Sequence, residues 1–174
     1  MPTLLVVEDD AHQRRAVRIG LEARGYSVVE AADGQSARAA VDAGRPDLVL
    51  LDLGLPDIDG VDLCRHLRLW PDAPIIVVSA EDDDRRMVEA FAVGADDYVV
   101  KPVVLDVLAA RINVHLRYAQ QLATVAADEV LTCGSVSVDT AAHVVRIGAD
   151  VVDLRPQQYQ LLEVLMRHAG RLVT

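Results

Sequence analysis

A chain of 174 residues, 52% of them hydrophobic, is long enough for one ordinary domain plus part of another and can fill a real core. Its net charge of −10 argues against a general nucleic-acid-binding surface, because such affinity comes from neutralising phosphates with lysine and arginine. No apolar run approaches the roughly 18 residues that span a bilayer, the amino terminus lacks the order of a signal peptide, and Cys64 and Cys133 match no metal or redox spacing, so a cytosolic (cytoplasmic) protein with reduced thiols and no membrane partner is expected.

From residue 3 to about 118, short apolar runs alternate with longer amphipathic stretches, the pattern of βα units around a parallel sheet buried on both faces. Strands are predicted at Leu4 to Val7, Ser27 to Glu30, Leu48 to Leu51, Ile75 to Val78 and Tyr98 to Val100. Helices are predicted near 11 to 24, 34 to 43, 60 to 69, 84 to 93 and 104 to 118, the first ending at Gly25 and the fourth at Gly94. The fold class that follows is α/β, a doubly wound five-stranded parallel sheet, with ligands bound outside the carboxyl ends of the strands. Leu108, Ile112 and Leu116 form the apolar stripe of the last helix, and 119 to 128 reads as a linker or frayed helix end.

After the linker the period changes. Ser135 to Asp139 and His143 to Ile147 alternate polar and apolar side chains, and Val151 to Leu154 follows a Gly148-Ala149-Asp150 turn, as half-buried antiparallel strands would. A helix begins near Pro156 and carries Leu161, Leu162, Leu165 and Met166 before Gly170. Residues 1–128 hold 22 acids against 13 bases, whereas 129–174 hold five against four, so the front is acidic and the tail nearly neutral.

Chemistry gathers at the strand ends. Glu8-Asp9-Asp10 follows the first strand, Asp52 the third, Ser79 the fourth, and Lys101, the single lysine beside sixteen arginines, the fifth. Converging acids repel one another unless a hard cation or a shared proton compensates them, and Mg²⁺ fits because it takes a few carboxylates and accepts phosphate oxygens in its remaining positions. A compact ammonium and a hydroxyl beside them complete a phosphoryl-transfer site, with Asp52, at the head of the turn-rich Asp52 to Gly60 loop, as nucleophile and the Gly54 carbonyl available to the metal. Taken singly, Asp10 and Asp57 read more simply as caps of the following helices.

Four motifs, Leu5-Val6-Val7-Glu8-Asp9-Asp10, Asp52-Leu53-Gly54-Leu55-Pro56-Asp57, Val78-Ser79-Ala80, and Gly94 to Tyr98 with Lys101-Pro102, resemble the receiver domain of bacterial two-component response regulators. The resemblance implies that Asp52 takes a phosphoryl group from the phosphohistidine of a sensor histidine kinase. It implies that Asp9, Asp52 and the Gly54 carbonyl bind Mg²⁺ directly, that Glu8 holds a metal-bound water, and that Ser79 and Tyr98 form a switch with Lys101 at the phosphoryl group. For Tyr98 an aromatic covering the sheet edge is the plainer alternative.

Residues 129–174 are similar to the start of the winged-helix effector domain of the OmpR/PhoB subfamily, on strand spacing and Leu154 to Leu162, which implies an antiparallel four-stranded sheet followed by the first helix of the winged helix. In the wording of its motifs, including Trp70, the chain looks nearest to regulators of potassium-transport operons. Domains are expected at 1–118 and 129–174, with recognition helix and wing lacking, so that promoter DNA is a partner only if that portion is present. The resemblance also implies a phosphorylation-favoured homodimer through the fourth helix, fifth strand and fifth helix, placing Asp97 with Arg111, Met87 with Val107, and Asp96 with Tyr118 or Arg117. A stand-alone phosphoacceptor module without DNA binding is the second reading. An aspartate-nucleophile phosphatase ranks below both, since the general acid commonly found two residues after its nucleophile is here Gly54, and no enzyme activity is expected.

Overall fold

The computed structural model describes residues 1–69, 73–80, 83–126, 130–140, 144–148, 150–152, 154 and 156–167. Trp70, His143 and Gly170 lie outside the described residues. Ten elements alternate first: β1 (Thr3–Val7), α1 (Ala11–Glu22), β2 (Ser27–Ala31), α2 (Gly34–Ala43), β3 (Leu48–Leu51), α3 (Gly60–Leu67), β4 (Ile75–Ser79), α4 (Asp84–Ala92), β5 (Asp97–Val100) and α5 (Leu105–Ala126). Then come β6 (Val130–Cys133), β7 (Val136–Asp139), β8 (Val144–Ile147), β9 (Asp150–Val152) and α6 (Pro156–Arg167). By internal contacts the chain divides into two compact units, Met1–Ala119 and Gln120–Thr174.

In the first unit all five strands pair in parallel, in the order β2-β1-β3-β4-β5. The apolar runs have no polar alternation because both faces are covered. Leu5, Val7, Val49, Leu51, Ile75 and Val77 pack with α2, α3 and α4 through Ala37, Val41, Leu63, Cys64 and Ala90. Leu4, Val6, Leu48, Leu50 and Ile76 face the other way, toward Leu21 of α1 and Leu108, Ile112 and Leu116 of α5. Chain direction is reversed after α1 and α4 by Gly25 and Gly94, at φ 87 and 112, where a side chain would be strained. Helix α5 runs to Ala126, past the predicted end at 118, so the first residues read as linker are helical.

The second unit is an antiparallel sheet in the order β6-β7-β8-β9. Val138, Val145 and Tyr159 are its buried centre, with Leu131, Val136, Val152, Leu154, Leu162 and Met166 around them. The alternation pattern marks only the three strands after β6, while the four-strand count is the one the winged-helix resemblance implies. Among the described residues no helix is long and apolar enough to cross a membrane.

Candidate functional site

Strand order reverses between β1 and β3, and there a doubly wound sheet opens a crevice at its carboxyl ends. The backbone ladder runs right up to the site. Glu8 N donates to Ala31 O at 3.1 Å, Asp52 N to Val7 O at 2.9 Å, and Lys101 N to Ser79 O at 2.8 Å. Glu8, Asp52 and Lys101 are therefore the first residues after their strands, and Ser79 the last within its own, on a rigid frame.

Glu8, Asp9 and Asp52 each offer a carboxylate oxygen, and the three lie within 4.8 Å of one another, Glu8 and Asp52 buried and Asp9 exposed. Lys101 Nζ donates to Glu8 Oε2 and to Asp52 Oδ2, both at 2.6 Å. The second oxygen of Asp52 accepts weakly from Gly54 N at 3.2 Å, and that of Glu8 from Asp10 N at 3.4 Å. Among the described residues, the Asp9 carboxylate accepts no hydrogen bond. Three carboxylates against one ammonium leave a double negative charge, which the donor set can offer to a hard divalent cation.

The electrostatics follow from this imbalance. Burial raises the Glu8 carboxyl above its ordinary value, although the Lys101 hydrogen bond opposes it and the Asp52 charge adds to it. Burial would depress Lys101, but the bonds to Asp52 and Glu8 outweigh it and raise the ammonium instead. One ammonium shared by two carboxylates is well compensated, whereas the carboxylates are not.

Ser79 is buried at the end of β4, and Tyr98 is buried in the same core cluster as Leu51, Val77 and Ala90. Asp10 caps α1, its Oδ1 accepting from His12 N at 2.8 Å and Gln13 N at 2.9 Å. Asp57 caps a helix as well, but α2 rather than the one that follows: its two oxygens accept from Gly34 N at 2.8 Å and Gln35 N at 3.0 Å. The cap of α3 is Asp59, which accepts from Val61 N at 2.8 Å.

Four of the residues expected at a dimer face, Asp96, Asp97, Arg111 and Met87, have partners inside one chain. Arg111 Nη1 reaches both Asp97 oxygens at 3.0 and 2.8 Å. The Asp96 carboxylate accepts from Arg68 Nη2 at 2.5 Å and Ile75 N at 2.7 Å. Met87 packs against the core of its own domain, while Val107 and Tyr118 are exposed. One contact had no signal in the sequence: Arg14 Nη1 donates to the backbone carbonyls of Glu8 at 2.6 Å and Asp9 at 3.1 Å. It is one arginine among sixteen, and its partners are main-chain atoms.

A parallel sheet of this strand order, with acids, a lysine and a serine at one edge, is the architecture of a signal receiver. The response regulator receiver domain family matches residues 4–113, and the chain belongs to it. Over 174 residues the chain is 41% identical to the KDP operon transcriptional regulatory protein KdpE of Escherichia coli strain K12, covering 100% of this chain and 76% of that protein. It is 43% identical over 177 residues to the transcriptional regulatory protein KdpE of Mycobacterium tuberculosis strain H37Rv, covering 99% and 76%. These relatives are transcription regulators of the OmpR/PhoB kind. Among solved structures, the CheY-like receiver domain protein of Methanospirillum hungatei superposes with a TM-score of 0.68 at 28% identity, over 70% of this chain and 98% of that one. The BeF3-activated receiver domain of Klebsiella pneumoniae RstA gives 0.64 at 36% identity, over 66% and 98%.

Proposed function

We propose that this chain is a phosphorylation-controlled response regulator: Asp52 accepts a phosphoryl group from the phosphohistidine of a sensor histidine kinase, and the output is transcription regulation. The observation that supports it best is Lys101 Nζ at 2.6 Å from both Glu8 and Asp52, inside an acidic cluster that keeps an uncompensated double negative charge. An Asp52 carboxylate oxygen attacks phosphorus in line. The bond between phosphorus and the imidazole nitrogen breaks, its electron pair stays on that nitrogen, and an acyl phosphate forms on Asp52.

Glu8, Asp9, Asp52 and the Gly54 carbonyl would hold Mg²⁺, with Glu8 acting through a water. Bound Mg²⁺ supplies positive charge to the phosphoryl oxygens. Lys101 stays with Asp52 as that charge moves, and leaves Glu8 for a phosphoryl oxygen. The Ser79 hydroxyl takes another of those oxygens, and the Tyr98 ring follows it, altering the face formed by α4, β5 and α5. That face pairs with its copy in a phosphorylation-favoured homodimer. Strands β6 to β9 and α6 would be the sheet and first helix of a winged helix, and promoter DNA is a partner only where a recognition helix and wing accompany them; the protein works in the cytoplasm and is no enzyme.

Incubating the full chain with acetyl phosphate and Mg²⁺, then mapping the adduct by mass, tests the assignment. One phosphoryl group on Asp52 is expected, absent from Asp52→Asn and absent in EDTA. Label retained by Asp52→Asn would refute it.

A further inference from the structure

Asp9 poses a problem that its own side chain does not solve. Its carboxylate is exposed and, among the described residues, makes no hydrogen bond, yet it must converge with Glu8 and Asp52. The two peptide planes on either side of its Cα are held instead. Arg14 Nη1 takes Glu8 O at 2.6 Å, which belongs to the plane before Asp9, and Asp9 O at 3.1 Å, which belongs to the plane after it. Peptide planes are rigid, so fixing both fixes the direction of the Asp9 Cα–Cβ bond. Arg14 itself is anchored in the first turns of α1, where its N donates to Asp10 O at 2.9 Å, and its Nε lies 3.6 Å from Glu30 at the end of β2.

We propose that Arg14 is a positioning residue for the divalent cation, holding the Glu8-Asp9 backbone so that Asp9 converges with Glu8 and Asp52 before the cation arrives. This rests on the cation reading above. The guanidinium acts on the cation through the backbone and touches no carboxylate of the cluster. Its sign is diagnostic. Coulomb's law alone says that removing a positive charge beside an acidic cluster tightens cation binding, whereas loss of a residue that orients a ligand weakens it, by about tenfold or more.

Arg18 is the built-in control. It lies one turn further along α1, carries the same charge, and binds Glu30 at 2.9 Å and Glu22 at 2.9 Å, with no bond to the acidic loop. Titrate Mg²⁺ as the chloride into the full chain by calorimetry, for wild type, Arg14→Met, Arg18→Met and Asp9→Asn, with unliganded melting temperatures alongside. Arg14→Met should bind about tenfold more weakly, while Arg18→Met binds as well as wild type or slightly better. If Arg14→Met melts early, Arg14→Gln carries the same expectation. Arg14 variants that bind as tightly as wild type, or that weaken only as much as Arg18→Met does, overturn the inference, provided Asp9→Asn has lost affinity. An Asp9→Asn variant that binds like wild type overturns the cation reading, and the positioning role falls with it.

Discussion

Burial pushes the Cys64 thiol from 9.0 up to about 11, with the Arg68 guanidinium nearby pulling the other way. The thiol has no exposed surface and sits in α3 against the sheet. Between those two values the unfolded chain has lost the proton while the folded chain still holds it, so folding stability must fall as pH rises from 9 through 11. Two pKa units correspond to at most about 2 to 3 kcal/mol. Lys101 acts in the same direction at higher pH, since its raised ammonium contributes stability that is lost as pH climbs through its folded value. Urea midpoints of wild type and Cys64→Ala between pH 8 and 11 separate the two. The variant starts lower, because a cavity is opened, but should lose less stability over the interval; parallel curves would show that the thiol does not titrate as described.

At the scale of elements, the loop from Asp52 to Asp59 is held by a close approach at its far end. A Cβ on Gly60, the first residue of α3, would stand 2.3 Å from Leu53 Cα and 2.7 Å from Leu53 O, and backbone cannot swing aside as a flexible side chain can. Gly60→Ala should cost about 1 to 3 kcal/mol. It should also lower phosphorylation by acetyl phosphate, because Leu53 adjoins Asp52, the proposed acceptor. A melting temperature equal to that of wild type would show that the loop gives way freely. Such packing is invisible in the sequence, whereas much of the frame is not. Strands β1, β3 and β4 were legible because a strand buried on both faces must be a continuous apolar run, and α1 and α4 end where glycine with positive φ was expected. Strand β6 left no mark in the alternation, because Val130-Leu131-Thr132-Cys133 is short and mostly exposed; its existence followed only from the four-stranded sheet that the winged-helix resemblance implies, and its pairing with β7 places it. The extent of α5 was missed because the four-residue apolar spacing of Leu108, Ile112 and Leu116 meets Gln120 at its next step. Glu8, Asp9, Asp52 and Lys101 could be picked out because charge at a strand end is conspicuous. Arg14 and the Asp57 bond to α2 could not, since both join side chains to backbone groups that every residue possesses.

For the whole molecule, the question is what could bring two copies together when each carries a net charge of −10. The two acids expected at that face are already engaged within one chain, Asp97 of β5 with Arg111 at 2.8 Å and His115 at 3.5 Å, and Asp96, just before β5, with Arg68 at 2.5 Å. Exchanging such pairs across a two-fold axis gains little, since an exposed ion pair is worth at most about 1 kcal/mol. The same three elements expose apolar surface instead: Val88 and Phe91 on α4, Val100 on β5, and Val107 and Tyr118 on α5. Met87, expected from the sequence to meet Val107, is partly committed to the core, so Met87→Lys would disturb the receiver's own fold. Val107 is half-exposed and is the cleaner site for a test. Burying the exposed half of a valine contributes about 1 kcal/mol in each copy and does not weaken as ionic strength rises, whereas ion pairs are screened. The beryllofluoride-activated chain should therefore dimerise at both low and high salt, and Val107→Lys, which puts an unpaired charge into each half of the interface, should shift it to monomer at the same concentration. Sedimentation equilibrium at two salt concentrations measures this, and an activated Val107→Lys chain that dimerises as well as wild type would mean that the two copies meet through some other face.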